Sequence, residues 1–167
     1  MDSRAKLLGH PIHQMLIVSP LGLLGGAIVF DIMHLARGGS WSLVAFYMIG
    51  LGIITGLLAA IFGLIDWSAI PSGTRAKSIG LWHALGNVVV LALFAASWFL
   101  RRGHATNPAT VDYVLSFAGF ALAGVTGWLG GELVDRLGVG VHDGANLDAP
   151  SSIRTSSVQP TSTHARA

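Results

Sequence analysis

The 167-residue chain contains no cysteine, which excludes disulfides, thiolate metal sites, cysteine-ligated iron–sulfur clusters and a cysteine nucleophile. Charge is the second scarcity. Asp, Glu, Lys and Arg make up 11% of the residues and apolar residues 52%, against about 25% charged in a soluble domain. With a mean hydropathy of +0.64, the composition points to a bilayer as the solvent. There is no HExxH pair, no nucleophile elbow and no glycine-rich phosphate loop between strand and helix. Hydrolytic and nucleotide-dependent chemistry therefore lack their motifs, and no enzyme is expected.

What is present is apolar length. Four runs, about 15–35, 41–65, 80–100 and 111–133, can each cross a hydrocarbon core, which takes about 20 helical residues. None has the polar stripe at helical period that a soluble bundle would need. The expected fold is an all-α polytopic membrane protein, a four-transmembrane-helix bundle over residues 1–142. A Ser/Thr/Pro/Ala-rich tail over 143–167 is expected to be disordered. Arg4 and Lys6 precede the first run as in a signal peptide. That run is too long, however, opens with two His and a Pro, contains Asp31 and lacks an A-x-A cleavage site, so it is read as a retained span. Pro20 should kink the first helix. No internal repeat is strong enough to indicate an inverted-repeat transporter.

The net charge of +2 comes from basic residues at span ends, so they read as topology determinants and no nucleic-acid partner is expected. Four spans put both termini on one side, with Arg4, Lys6, Arg75, Lys77 and Arg136 near the membrane against Arg37, Arg101 and Arg102 opposite. The positive-inside rule then places the termini in the cytoplasm. Trp67, Trp82 and Trp128 fall near that inner interface, and Trp41 and Trp98 near the outer one, as indole anchors do. Small residues recur at helical spacing (Gly22 and Gly26, Gly52 and Gly56, Gly56 and Ala60, then Ala123, Gly127 and Gly131). In lipid such rows permit the close packing that holds helices together.

Ionisable groups in a span are costly and mark candidate sites. On the inner side, helix 1 begins with His10 and His13, helix 2 ends at Asp66, helix 3 begins with His83 and Asn87, and helix 4 ends with Glu132 and Asp135. Asn87, four residues after His83, shares its face and could fix its tautomer. On the outer side lie Asp31 and His34. His13 and Asp31 are five turns apart, roughly 27 Å at 1.5 Å per residue, which would make a polar lane down helix 1. Plainer readings stand beside these. His10 and His13 as interfacial residues, Asp66 as a cap for loop donors, Glu132 paired with Arg136 at i,i+4, and Asp31 snorkelling or bonded to a neighbouring helix would all be structural.

The segments GHPIHQMLIVSPLG, GLIDW, His83-x-x-x-Asn87 and GWLGGELVDRLGVGV resemble the DUF2231 family of small bacterial membrane proteins, over about residues 9–141. Gln14 stands where the family has the second proline of HPxHP. Asp135-Arg136-Leu137 replaces a Tyr followed by basic residues or His. Neither departure touches His10, His13, Asp66 or His83. The resemblance implies a bacterial inner-membrane protein without an agreed activity. Some relatives carry a Rieske domain, which implies a redox neighbourhood; any such partner here would have to be another chain.

Three functional readings stay open, beside a remainder of proton-linked transport for which the His13–Asp31 lane is the only hint. One is a non-catalytic or redox-accessory subunit in which the polar residues only link helices. A second is a haem b electron-transfer protein with His83 and either His13 or His10 as axial ligands and Asn87 beside them. A third is a zinc or iron site built from His10, His13, Asp66, His83 and Glu132.

Overall fold

The computed structural model describes residues 1–153; the rest of the expected tail lies outside the described residues. After a short N-terminal segment come five helices: α1 (Ile12–Leu16), α2 (Val18–Arg37), α3 (Trp41–Ala69), α4 (Arg75–Arg101) and α5 (Thr110–Gly131). A π-helical turn, Glu132–Arg136, closes α5. Because α1 and α2 form one continuous span, four helices are long and apolar enough to cross a membrane: Ile12–Arg37, Trp41–Ala69, Arg75–Arg101 and Thr110–Arg136. Each extends a few residues beyond the apolar run that predicted it, since flanking polar residues complete the last turns.

The α1/α2 break lies at Ile17, one turn before Pro20. Proline has no N–H to give Leu16, four residues back, and its ring crowds that carbonyl. The disruption therefore surfaces before the proline itself.

The bundle is inside out relative to a soluble protein. Leu51, Ile54, Leu57, Ile61 and Leu64 of α3 are more than half exposed, as expected where lipid replaces water around an apolar perimeter. The core is narrow: Leu24, Ala27, Ile28, Ala45, Ile49, Val90 and Phe94. Helices α2 and α3 form one tight hairpin and α4 and α5 another; they meet along α3–α4, while α2–α5 is a looser seam.

The two hairpins repeat one another. Leu24 fills the space left by Gly52, and Phe94, 70 positions on, fills that left by Gly119, 67 positions on. A methyl group on Gly52 would overlap Leu24, and one on Gly119 would press tightly on Phe94. Span order shows that the repeat is parallel, so its pseudo-twofold axis runs along the bundle rather than across it. The sequence expectation concerned an inverted repeat, and too few side-chain identities survive for the parallel one to stand out.

Small residues do not all serve packing within the chain. Gly52 and Gly56 abut neighbouring helices, but Gly22, Gly127 and Gly131 face open space.

Candidate functional site

The site at the end carrying the N-terminus is built from His13 on α1 and His83 on α4, whose rings stand 6.4 Å apart between centroids and nearly perpendicular, at 86°. Each ring is held in the same way. His13 Nδ1 lies 2.8 Å from the Ala59 carbonyl on α3, and the ring packs on Gly63, one turn later. His83 Nδ1 lies 2.9 Å from the Thr126 carbonyl on α5, and its ring packs on Gly130, again one turn later. A carbonyl can only accept, so each Nδ1 carries the proton and donates it. In a neutral ring Nε2 then keeps its lone pair.

Asn87 extends the second half of this arrangement. Its Oδ1 accepts from the Thr126 hydroxyl at 3.2 Å, which turns Nδ2 toward the His83 main-chain carbonyl at 2.8 Å and His83 Nε2 at 3.3 Å. An amide Nδ2 can only donate, which agrees with a lone pair on His83 Nε2. The corresponding position of the first hairpin is Ile17, so His13 has no such companion. No hydrogen bond to His13 Nε2 is found among the described residues.

The other expected members do not join the pair. His10 lies in a two-residue strand, His10–Pro11, paired with Lys6–Leu7. Its Nδ1 is exposed and turned back to the Leu8 carbonyl at 3.2 Å. The turn between these strands needs positive φ at Leu8 and Gly9, the pattern of a tight two-residue hairpin. Asp66 instead holds the N-terminal segment: Oδ1 accepts from the Arg4 and Ala5 N–H groups at 2.8 and 3.1 Å, and both oxygens accept from the Ser3 hydroxyl at 2.7 and 2.8 Å. It caps backbone donors, but those of residues 61 and 62 positions earlier and not those of its own loop. Glu132 pairs with Arg75 of α4 at 2.7 Å rather than with Arg136, because the π-helical turn shifts the i,i+4 register. Among the described residues no three His, Asp or Glu side chains converge as metal ligands, so the five-residue metal set is not assembled.

The same segment closes that end of the bundle. Gly140 N–H donates to the Met1 carbonyl at 2.9 Å, and Gln14 packs against Gly140. The HPIH, GLIDW and GVGV stretches, far apart in the chain, thus meet at one end. Trp67 and Lys77 join α3 to α4 there, with Trp67 Nε1 donating to the Lys77 carbonyl at 3.1 Å, Lys77 Nζ donating back at 2.8 Å, and the ammonium 3.8 Å from the indole centroid.

The opposite end holds a group that the sequence reading missed. Arg101, expected to be an interfacial charge, is fully buried and grips Asp31 with both terminal nitrogens at 2.7 Å. Its Nε donates to Ser97 Oγ at 3.1 Å, and Nη2 also reaches the Asp112 carbonyl and Ser116 Oγ at 3.2 Å. Every guanidinium nitrogen is therefore occupied, which a buried charge requires. The Asp112 carboxylate accepts from the Ala109 N–H at 2.8 Å and meets His104 Nε2 at 2.9 Å. The available signal was spacing: Asp31 and Arg101, His13 and His83, and His34 and His104 are all 70 positions apart. Asp31 is thus bonded across the bundle, which leaves no lane from His13 ending in a free carboxylate.

No curated protein and no solved structure matches the chain. A family model does, over residues 9–143, which takes in all four spans and both polar sites. The chain belongs to DUF2231, a family of predicted membrane proteins.

Proposed function

We propose that this protein is a non-catalytic or redox-accessory subunit of the bacterial cytoplasmic membrane, a rigid bundle whose polar side chains fasten its own helices. The observation that carries this reading is where those side chains are spent. His13 binds α1 to α3, His83 and Asn87 bind α4 to α5, Asp31 and Arg101 bind α2 to α4, and Asp66 binds the N-terminal segment to α3. In lipid each such link contributes about 1 kcal/mol toward helix association. A partner protein on another chain would supply any redox centre.

Burial of Arg101 sharpens the orientation. Removing it from the loop charges leaves Arg37 and Arg102 against Arg4, Lys6, Arg75, Lys77 and Arg136, which favours cytoplasmic termini. The His pair then lies toward the cytoplasmic leaflet.

Haem b ligation by His13 and His83 is the second reading, favoured by two imidazoles with Nε2 lone pairs in one bundle core. It asks for a macrocycle-wide slot between them, where Gly63 and Gly130 bring α3 and α5 onto the rings. The visible spectrum of protein purified in mild detergent from haem-sufficient cells tests the choice. The accessory reading expects no Soret band, and a stoichiometric band lost in His83→Ala would replace it with the haem protein.

A further inference from the structure

We infer that His13 and His83 form a binding site for one monovalent d10 metal ion of the Cu(I) class, held between the two Nε2 atoms. This goes beyond the accessory reading and does not depend on it.

The first support is symmetry. The two rings occupy equivalent positions of two equivalent hairpins, each tied to a carbonyl one turn before a glycine. The two rings lie beside each other, 6.4 Å apart between centroids, so each offers the same pair of ring nitrogens at the seam between the hairpins. An ion shared by the two Nε2 atoms would meet two like donors, the donor set of linear coordination.

The second support is protonation. Ligating histidines characteristically donate the other ring N–H to a carbonyl or carboxylate, which fixes the tautomer and raises ligand basicity. Both rings already do so. Plain helix cross-linking accounts for the two Nδ1 bonds but gives the Nε2 lone pairs nothing to do. His83 Nε2 has only the 3.3 Å approach of Asn87, and no hydrogen bond to His13 Nε2 is found among the described residues, so each neutral ring keeps a nitrogen to offer a ligand.

The third support is distance. An imidazole nitrogen binds a first-row metal at about 2 Å, so two rings sharing one ion stand roughly 6 Å apart between centres. The observed 6.4 Å requires no separation of the helices.

The donor set then selects the ion. Zinc takes four ligands in a closed site, and neither Asp66 nor Glu132 is available, being held by the N-terminal segment and by Arg75. Imidazole suits copper, and Cu(I), with a filled d shell, accepts two ligands. With two neutral donors a monovalent ion keeps a single positive charge in the bundle, where a divalent ion would keep two at much greater desolvation cost. Such an ion is also colourless, so it produces no Soret band.

The test uses the full-length protein in detergent, titrated anaerobically with Cu(I) against a chromophoric Cu(I) chelator, with X-ray absorption at the copper edge. One equivalent is expected to bind, with two imidazole scatterers at about 2 Å. Affinity should fall at least tenfold in His13→Ala and in His83→Ala but stay unchanged in His10→Ala. Absence of stoichiometric binding, retention in both variants, or a spectrum with four ligands would overturn the assignment. If either variant fails to fold, the wild-type spectrum decides by ligand number. Stoichiometric haem uptake in the same preparation would return the pair to the haem reading.

Discussion

Asp31 and Arg101 meet in a two-pronged ion pair at 2.7 Å, both fully buried, from equivalent positions of the two hairpins. Opposite charges at equivalent sites make a parallel repeat self-complementary, since either hairpin alone would carry a lone buried charge. Which site carries the arginine follows from its surroundings. Ser97, Ser116 and the Asp112 carbonyl encircle Arg101, whereas the matching positions near Asp31 include Ala27 and Ile49, which are apolar.

Removing one partner of this pair leaves an unpaired buried charge. Asp31→Leu or Arg101→Met should each destabilise the bundle by about 3–5 kcal/mol, whereas the double variant should lose less than either single one, because an apolar pair needs no compensation. Thermal unfolding in detergent checks this. A double variant whose loss equals the sum of the singles would mean the two residues do not interact. Arg101→Lys should fail to rescue, since an ammonium cannot satisfy both carboxylate oxygens and Ser97 in a planar fork.

Gly63 and Gly130 are the floors on which the two imidazoles rest, and Gly127 borders nothing. Gly63→Leu and Gly130→Leu should each cost about 1–3 kcal/mol by overpacking. Gly127→Leu should leave the unfolding midpoint unchanged. Equal sensitivity at all three positions would contradict the packing described.

Asp66→Ala strips the N-terminal segment of its acceptor. Hydrogen bonds to a charged group contribute about 1.5–3 kcal/mol, but these fasten a strap and not a span. Amide exchange at Arg4 and Ala5 should rise by at least tenfold, while exchange in the middle of α3 and α4 stays as in the parent. Uniformly faster exchange would show that Asp66 supports the whole bundle.

Because the chain contains no cysteine, single cysteines report topology without background. Ser40→Cys and Gly103→Cys should label from outside intact cells, and Gly73→Cys only after permeabilisation. The reverse pattern would move the His pair to the outer leaflet.

Apolar run length made the four spans legible in the sequence, because lipid demands unbroken helices of fixed length. His13, His83 and Asn87 were also legible, since an imidazole inside an apolar run is conspicuous and i,i+4 spacing is local. Arg101 was not: a basic residue at a span end looks the same whether it faces headgroups or folds inward, and only a partner 70 positions away decides. Glu132 and Asp66 were misplaced for related reasons. A π-helical turn breaks the register that would pair Glu132 with Arg136, and a carboxylate at a helix end takes whichever backbone donors the tertiary fold brings to it. The repeat escaped notice because it survives as equivalent hydrogen bonds and glycine contacts, with few matching letters.

His13 and His83 meet as paired imidazoles at one end of the bundle, each polarised through an Nδ1 hydrogen bond to a main-chain carbonyl of a neighbouring helix. Solid-state NMR of protein carrying 13C,15N-labelled histidine, reconstituted in liposomes, tests it directly. The account expects a ring-to-ring cross-peak that disappears in both His13→Gln and His83→Gln, with both rings protonated at Nδ1 and not at Nε2. Absence of that cross-peak, or protonation at Nε2 in either ring, would contradict it.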